Sequence, residues 1–311
     1  MNILATAIKT LSAGNTVAFP TETVYGLGAD CTNDDAVKQI FHLKQRPSFN
    51  PLIIHVANLE IARAYGIFNS TADHLAKTFW PGPLTLVLPL QPTALISPYV
   101  TAGLSTIAIR CPHHPVALEL LSQYPAPIAA PSANKSGYIS PTKYEHVYDE
   151  FGDTVLIIPG DPSCIGLEST IVDCSEDRPA ILRPGFISKT DIERAAHRGV
   201  FEKESTEVIK APGQLKQHYS PKLPVRLNVT HVYSNEALLN FGQNDLNAKF
   251  TLNLSPSGNL AEAAMNLFDR LRQLDKMGAL SGVGGIAVAP IPNEGIGIAI
   301  QERLSRAAFK P

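Results

Sequence analysis

The chain has 311 residues, 44% of them hydrophobic and 17% charged, with 25 Pro, 21 Gly and a formal net charge of −2. That balance excludes a disordered or collagen-like chain, and the length points to two domains, each large enough to bury its own core. The net charge is −4 over residues 1–200 and +2 over 201–311. Neither part has the basic excess that tight phosphate-backbone binding needs, so no stable nucleic-acid binding is expected.

Ile3, Leu4, Ala7, Ile8 and Leu11 recur at helical spacing up to Gly14, and the apolar Val17 to Phe19 then reads as a strand. The alternation that follows predicts helices over 34–44, 59–65, 71–79, 115–123 and 141–151, and strands over 52–56, 84–90, 106–110, 128–130, 155–158 and 170–173. This is α/β composition around a mixed sheet. Between Phe201 and Pro224 the apolar pattern fades into a charged segment with three prolines, which reads as a linker. Beyond it, strands over 225–229, 250–254 and 284–289 alternate with helices over 235–241, 260–276 and 294–308. Asn259 with Glu262 makes an Asn version of the capping box, and three strands in this alternation describe a small Rossmann-like parallel sheet. The expected domains are 1–200 and 225–311, joined by a linker over 201–224.

The densest polar cluster is PTETVYGLGAD followed by HLKQRPSFNPLIIHV. It holds Lys44 and Arg46 at a helix-to-strand corner with Asn50 and His55 nearby, which suits an anion with several oxygens. Cations that simply offset a helix macrodipole fit the same pattern. Arg110 ends the strand of STIAIRCP, where its fork could clamp a carboxylate. APSANKSGYISPT sets Ser132, Asn134, Ser136 and Ser140 ahead of a helix, and GLESTIVD and ILRPG add Ser169, Thr170 and Arg183. Hydroxyls and amides before a helix resemble an oxyanion cradle, and ordinary Asx and Ser turns read the same way. His55, inside a strand, is by default a hydrogen-bonded core histidine; His113 and His114, between prolines, are turn residues.

There is no P-loop, no G-x-S-x-G elbow and no H-E-x-x-H. Cys31, Cys111, Cys164 and Cys174 are scattered without zinc spacing, so no metal ligands are expected and a reducing compartment fits. With no apolar run near the ~18 residues of a membrane span and no signal-peptide pattern at the start, a cytoplasmic protein that does not engage membranes is expected.

PTETVYGLGAD, KQRPSFNPLIIHV, WPGPLTLVLP, STIAIR, APSANKSGYISPT, GLESTIVD and LRPG, in that order, resemble the YrdC-like threonylcarbamoyl-AMP synthases, with K-x-R at Lys44 and Arg46 and S-x-N at Ser132 and Asn134. HYSP and NEGIGIAIQERLSRAA are similar to the two-domain form of that family. The resemblance implies a YrdC-like twisted mixed-sheet domain followed by a small Rossmann-like parallel α/β domain. It also implies a nucleotidyltransferase: L-threonine, bicarbonate or CO2, and ATP give L-threonylcarbamoyladenylate and pyrophosphate, for N6-threonylcarbamoyladenosine formation in tRNA, with the product passed to a tRNA threonylcarbamoyl transferase.

By the same resemblance, Lys44, Arg46, Ser132 and Asn134 form the catalytic set. Thr23, His55, Arg110 and the backbone of Ala130 surround L-threonine, while Arg46, Asn50, Thr106, Ser132, Ser140, Arg183 and Tyr219 contact ATP. Mg²⁺ accompanies the triphosphate through its oxygens and waters. Lys44 and Arg46 are expected at a solvent-facing pocket, and Tyr219 as a linker residue folding over its mouth, although an exposed linker aromatic reads the same way. A related carbamoyl-adenylate enzyme and a double-stranded RNA or tRNA-binding module are the alternatives.

Overall fold

The computed structural model describes residues 2–202 and 218–309. Most of the expected linker, at 203–217, lies outside the described residues.

The first part of the chain forms α1 (Ile3–Ser12), β1 (Val17–Phe19), β2 (Gly26–Asp30), α2 (Asp34–Lys44), β3 (Ile53–His55), α3 (Leu59–Arg63), α4 (Ser70–Phe79), β4 (Leu84–Pro89), α5 (Pro98–Thr101), β5 (Thr106–Arg110), α6 (Pro115–Gln123), β6 (Ile128–Ala129), α7 (Tyr144–Phe151), β7 (Leu156–Ile157), β8 (Thr170–Asp173), β9 (Ala180–Arg183), α8 (Lys189–Ala196) and β10 (Phe201–Glu202). Its ten strands make one mixed sheet in the order β10-β9-β8-β4-β5-β3-β6-β2-β1-β7. Period-2 alternation assigns the two faces. Ile54, Leu86, Ile109 and Val172 pack with apolar residues of α2, α4 and α8. Ile53, Val87, Ala108, Ile171 and Leu182 form a small apolar patch on the opposite face, the face that carries the cavity described below.

A bulge decides the direction of one critical side chain. Ile181 packs with the helical core, and regular alternation would send Arg183 to that same face. Instead Val172 pairs with Ile181 and the adjacent Ile171 pairs with Arg183, leaving Leu182 as the extra residue. The slip turns Arg183 to the cavity face, a common use of a bulge beside a functional site. Gly185, just beyond, lies so close to Thr170 N that a Cβ could not fit there.

The second part contains β11 (Val225–Arg226), β12 (Glu236–Asn240), β13 (Thr251–Asn253), α9 (Leu260–Ser281), β14 (Gly285–Val288) and α10 (Gly297–Ala308). Its sheet, β11-β14-β12-β13, is parallel throughout. It has four strands where three were expected, because the segment expected as a helix over 235–241 is β12. Glu, Ala and Leu favour a helix, but Ala237, Leu238 and Leu239 are all fully buried in the middle of a parallel sheet, and tertiary burial overrides a weak local preference. Asn259 caps α9 as expected, its side chain accepting from Glu262 N at 2.9 Å.

α9 docks the second domain on the first. Tyr219, Ala264, Phe268 and Leu271 share a core with Val24, Ile139 and Leu167 of the first domain. A polar seam borders it: Asp269 meets Lys143 Nζ at 2.7 Å and His146 Nε2 at 3.2 Å, Arg272 Nη2 meets Glu150 at 2.9 Å, and Tyr138 Oη donates to Asp275 at 2.8 Å. Burial pushes the Asp269 carboxyl up, but hydrogen bonds from His146, Lys143 and Gln273 outweigh it and hold the group below the usual carboxylate range. The stability it contributes is therefore present above about pH 4 and lost as pH falls toward the depressed value. Asp269→Asn is expected to lower Tm by a few degrees at pH 7, and the gap from the parent closes below about pH 4. Thermal unfolding across that range checks it.

Candidate active site

The cavity lies over the centre of the large sheet. β3 and β5 run in parallel with His55 opposite Arg110, so both side chains rise from the same face as neighbours. A bridge between Gly26 and Ser132 brings in the segment after β6. Arg46, His55, Arg110, Ala130, Ser132, Arg183 and Tyr219 all line one partly open space.

At one end sits Arg110, only 4% exposed. Its Nη1 donates to Thr23 Oγ1 at 2.7 Å and its Nε to Gly82 O at 3.3 Å. Nη2 lies 2.6 Å from Glu22 Oε1, without the alignment of a hydrogen bond, and neither that nitrogen nor the Glu22 oxygens have another partner. His55 Nδ1 is likewise buried and unpartnered; burial first, then the Arg110 charge, holds the imidazole neutral down to about 3. Buried polar groups are almost always satisfied, so the unpartnered His55 Nδ1 beside the buried Arg110–Glu22 pair marks where a polar ligand belongs.

Cations gather at the other end. Lys44 Nζ donates to Ser132 O at 2.6 Å and to Asn134 O, while Asn134 Nδ2 donates to Tyr138 O at 3.0 Å, so the lysine pins the whole S-x-N segment. Arg46 donates to Asn50 O at 3.3 Å and Pro51 O at 2.9 Å. Arg183 donates to Ser169 O at 2.9 Å and Ser169 Oγ at 3.2 Å, and Ser169 Oγ in turn shares a 2.7 Å hydrogen bond with Thr85. Among the described residues no carboxylate stands within ion-pair distance of Lys44 or Arg46. Burial, with Arg46 adding its charge, lowers the Lys44 ammonium well below the usual lysine range. The Asn50 side-chain amide is fully buried and has no partner.

Three placements differ from expectation. Lys44 and Arg46 are buried, at 2% and 8% exposure, instead of facing solvent. Their partners are the backbone carbonyls of Ser132 and Asn134 for Lys44 and of Asn50 and Pro51 for Arg46. Thr106 begins β5 and pairs with Pro89; like Thr23, Lys44, Asn50, Asn134 and Ser140, it is not among the residues that line the cavity. Tyr219, expected on a linker, is fully buried with a left-handed φ of 61°, its ring stacked on Phe268 at 5.3 Å. It forms a wall of the cavity. Thr23 and Ser140 reach the site through one hydrogen bond each, to Arg110 and to Glu168.

Two acids were missed by reading the chain. Glu22 balances Arg110, and Glu168 binds Ser140 Oγ at 2.5 Å and Arg303 Nε at 3.0 Å. Burial pushes the Glu168 carboxyl up, but Arg303, Arg183 and Ser140 outweigh it and hold it at about 2. His218 is also part of the lining, its ring kept neutral to about 3 by burial and the surrounding cations.

Known proteins fall in line with this geometry. Residues 9–185 match the Sua5–YciO–YrdC family model, described as telomere recombination, and residues 187–309 match the threonylcarbamoyl-AMP synthase C-terminal domain. The threonylcarbamoyl-AMP synthase of Bacillus subtilis is 40% identical across 98% of this chain and 92% of its own length. The chain belongs to the threonylcarbamoyl-AMP synthase family. The family member of Pyrococcus abyssi is 39% identical over 95% of this chain and 91% of its own. A crystal structure of P. abyssi Sua5 complexed with L-threonine superposes with a TM-score of 0.89 at 36% identity, covering 98% of this chain and 94% of that one. Both domains of the two-domain family form are therefore present here.

Proposed function

We propose that the chain condenses L-threonine, bicarbonate or CO2, and ATP into L-threonylcarbamoyladenylate and pyrophosphate, the activated intermediate for N6-threonylcarbamoyladenosine in tRNA. One observation supports the reading most: a single partly open cavity holds the buried Arg110, paired with Glu22, at one end and buried Arg46 and Arg183 at the other. An amino acid and a nucleotide triphosphate, joined through a carbamate, have that charge distribution.

Arg110 takes the threonine carboxylate, with Thr23, His55 and the Ala130 backbone around the rest of the amino acid. The amine attacks the carbon of CO2 and loses a proton, giving a carbamate. A carbamate oxygen then attacks the α-phosphorus of ATP, and the bond to the β-phosphate oxygen breaks to release pyrophosphate. No covalent enzyme intermediate is required, so alignment and electrostatics carry the rate. Lys44, Arg46 and Arg183 offset the negative charge that accumulates at the phosphates, and Ser132 and Asn134 fix the loop to which Lys44 is tied. The unpartnered Asn50 amide and Tyr219 hydroxyl supply contacts to the nucleotide, with Ser140 alongside. Enclosure matters because carbamates and mixed anhydrides decompose in water.

Mg²⁺ arrives with ATP, held by the triphosphate oxygens and water; no cluster of three metal-ligating side chains occurs among the described residues. No described helix is long and apolar enough to cross a membrane, in keeping with a cytoplasmic enzyme that hands its product to a tRNA threonylcarbamoyl transferase. The RNA-binding alternative is disfavoured by the net charge of −4 over residues 1–200. Incubation with labelled L-threonine, bicarbonate, ATP and Mg²⁺ is expected to yield a labelled adenylate and stoichiometric pyrophosphate. Absence of both from folded protein rejects the assignment.

A further inference from the structure

Arg303 lies in α10, on the stripe formed by Ala299, Ile300, Leu304 and Ala307, and is fully buried. An apolar side chain of similar volume would dock this helix at least as well, since a buried guanidinium carries a desolvation cost that only complete hydrogen bonding offsets. Its bonding is indeed extensive, and most of it crosses to the first domain. Nε donates to Glu168 Oε2 at 3.0 Å, Nη2 to Glu168 O at 3.5 Å and Nη1 to Pro184 O at 2.8 Å, with Glu302 of the same helix at 2.6 Å.

Those acceptors have a common address. Glu168 precedes Ser169 and Pro184 follows Arg183, and Ser169 and Arg183 are themselves joined. The fork of Arg303 therefore spans the two chain segments that carry this pair, next to the bulge that aims Arg183. Two further links lead to the same end of the cavity: Glu168 Oε1 accepts from Ser140, and the guanidinium lies 5.4 Å from the centre of the Tyr219 ring, a cation–π distance. None of these links reaches Arg110, Glu22 or His55.

We propose that Arg303, supplied by the second domain, is a positioning residue for the nucleotide half of the site. It fixes Glu168, and through it Ser140, together with the Arg183 strand end and the Tyr219 wall, without touching a ligand itself. Domain docking is thereby coupled to nucleotide binding and not to amino-acid binding. The inference rests on the function proposed above.

Titration calorimetry on the full chain, with ATP and with L-threonine separately, tests it alongside thermal unfolding. Arg303→Met is expected to weaken ATP binding at least tenfold and leave L-threonine binding within twofold. Arg303→Lys, which keeps a charge near Glu168 but not the fork, recovers part of the loss; it also serves should the methionine variant fail to fold. Unchanged ATP affinity in the folded variants, or equal weakening of both ligands, overturns the proposal, the second because a purely structural role would loosen the whole cavity. A parent protein that binds neither ligand overturns the reading of the site itself, which keeps the two failures distinguishable.

Discussion

Lys44→Met is expected to cut synthase kcat/KM by at least a factor of 10²–10³, the usual effect of removing one preorganised donor from a site of developing charge, while the protein stays folded. The lysine is 2% exposed and bonded to Ser132 O and Asn134 O. Methionine leaves those two carbonyls without their donor, about 1–3 kcal/mol each if they find no other, but it also removes an ammonium whose burial costs several kcal/mol. The opposing terms are of similar size, so Tm should move by only a few degrees. Burial and the neighbouring Arg46 charge lower the lysine's pKa well below the usual range. Pyrophosphate release and thermal unfolding check the main claim, and a variant retaining a tenth of parental activity would refute it.

Regular periodicity made much of the fold legible. α2, α6, β5 and β8 fall where the apolar pattern puts them, because the two helices bury one consistent stripe and the two strands are short apolar runs buried on both faces. β2, with the sequence GLGAD, gave no strand signal: glycine has no side chain to pack, and here Gly28 leaves room for Phe19 and Ile128, where a Cβ would collide. β12 was hidden by helix-favouring residues, and the Arg183 bulge depends on pairing with a strand elsewhere in the chain, which local pattern cannot express. Among the site residues, the cations were visible as motif positions, but their partners were not. Arg303 and Glu168 are 135 residues apart, and Lys44 and Ser132 are 88 apart. Arg303 did leave a trace, a charged residue spaced with Ala299, Ile300, Leu304 and Ala307 on the apolar side of a helix.

Arg110→Lys is expected to raise the L-threonine KM by roughly 10- to 150-fold, the equivalent of losing a charge-assisted pair worth about 1.5–3 kcal/mol, with the ATP KM little changed. Formal charge is conserved, so the comparison isolates geometry. The guanidinium serves Gly82 O, Thr23 Oγ1 and Glu22 from three different nitrogens, and the planar fork lets one of them turn to a ligand while the others hold the side chain in place. A lysine ammonium at this depth has a single point of charge, and Glu22, 3% exposed and already 2.6 Å from the Arg110 guanidinium, competes for it directly. It would settle on the acid and leave the substrate carboxylate without its clamp. Arg46 and Arg183, at the far end of the cavity, keep their carbonyl partners, which is why nucleotide binding should be spared. Steady-state pyrophosphate release at saturating ATP and varied L-threonine measures the effect; an unchanged threonine KM would remove Arg110 from the amino-acid site and leave its pairing with Glu22 as a structural contact.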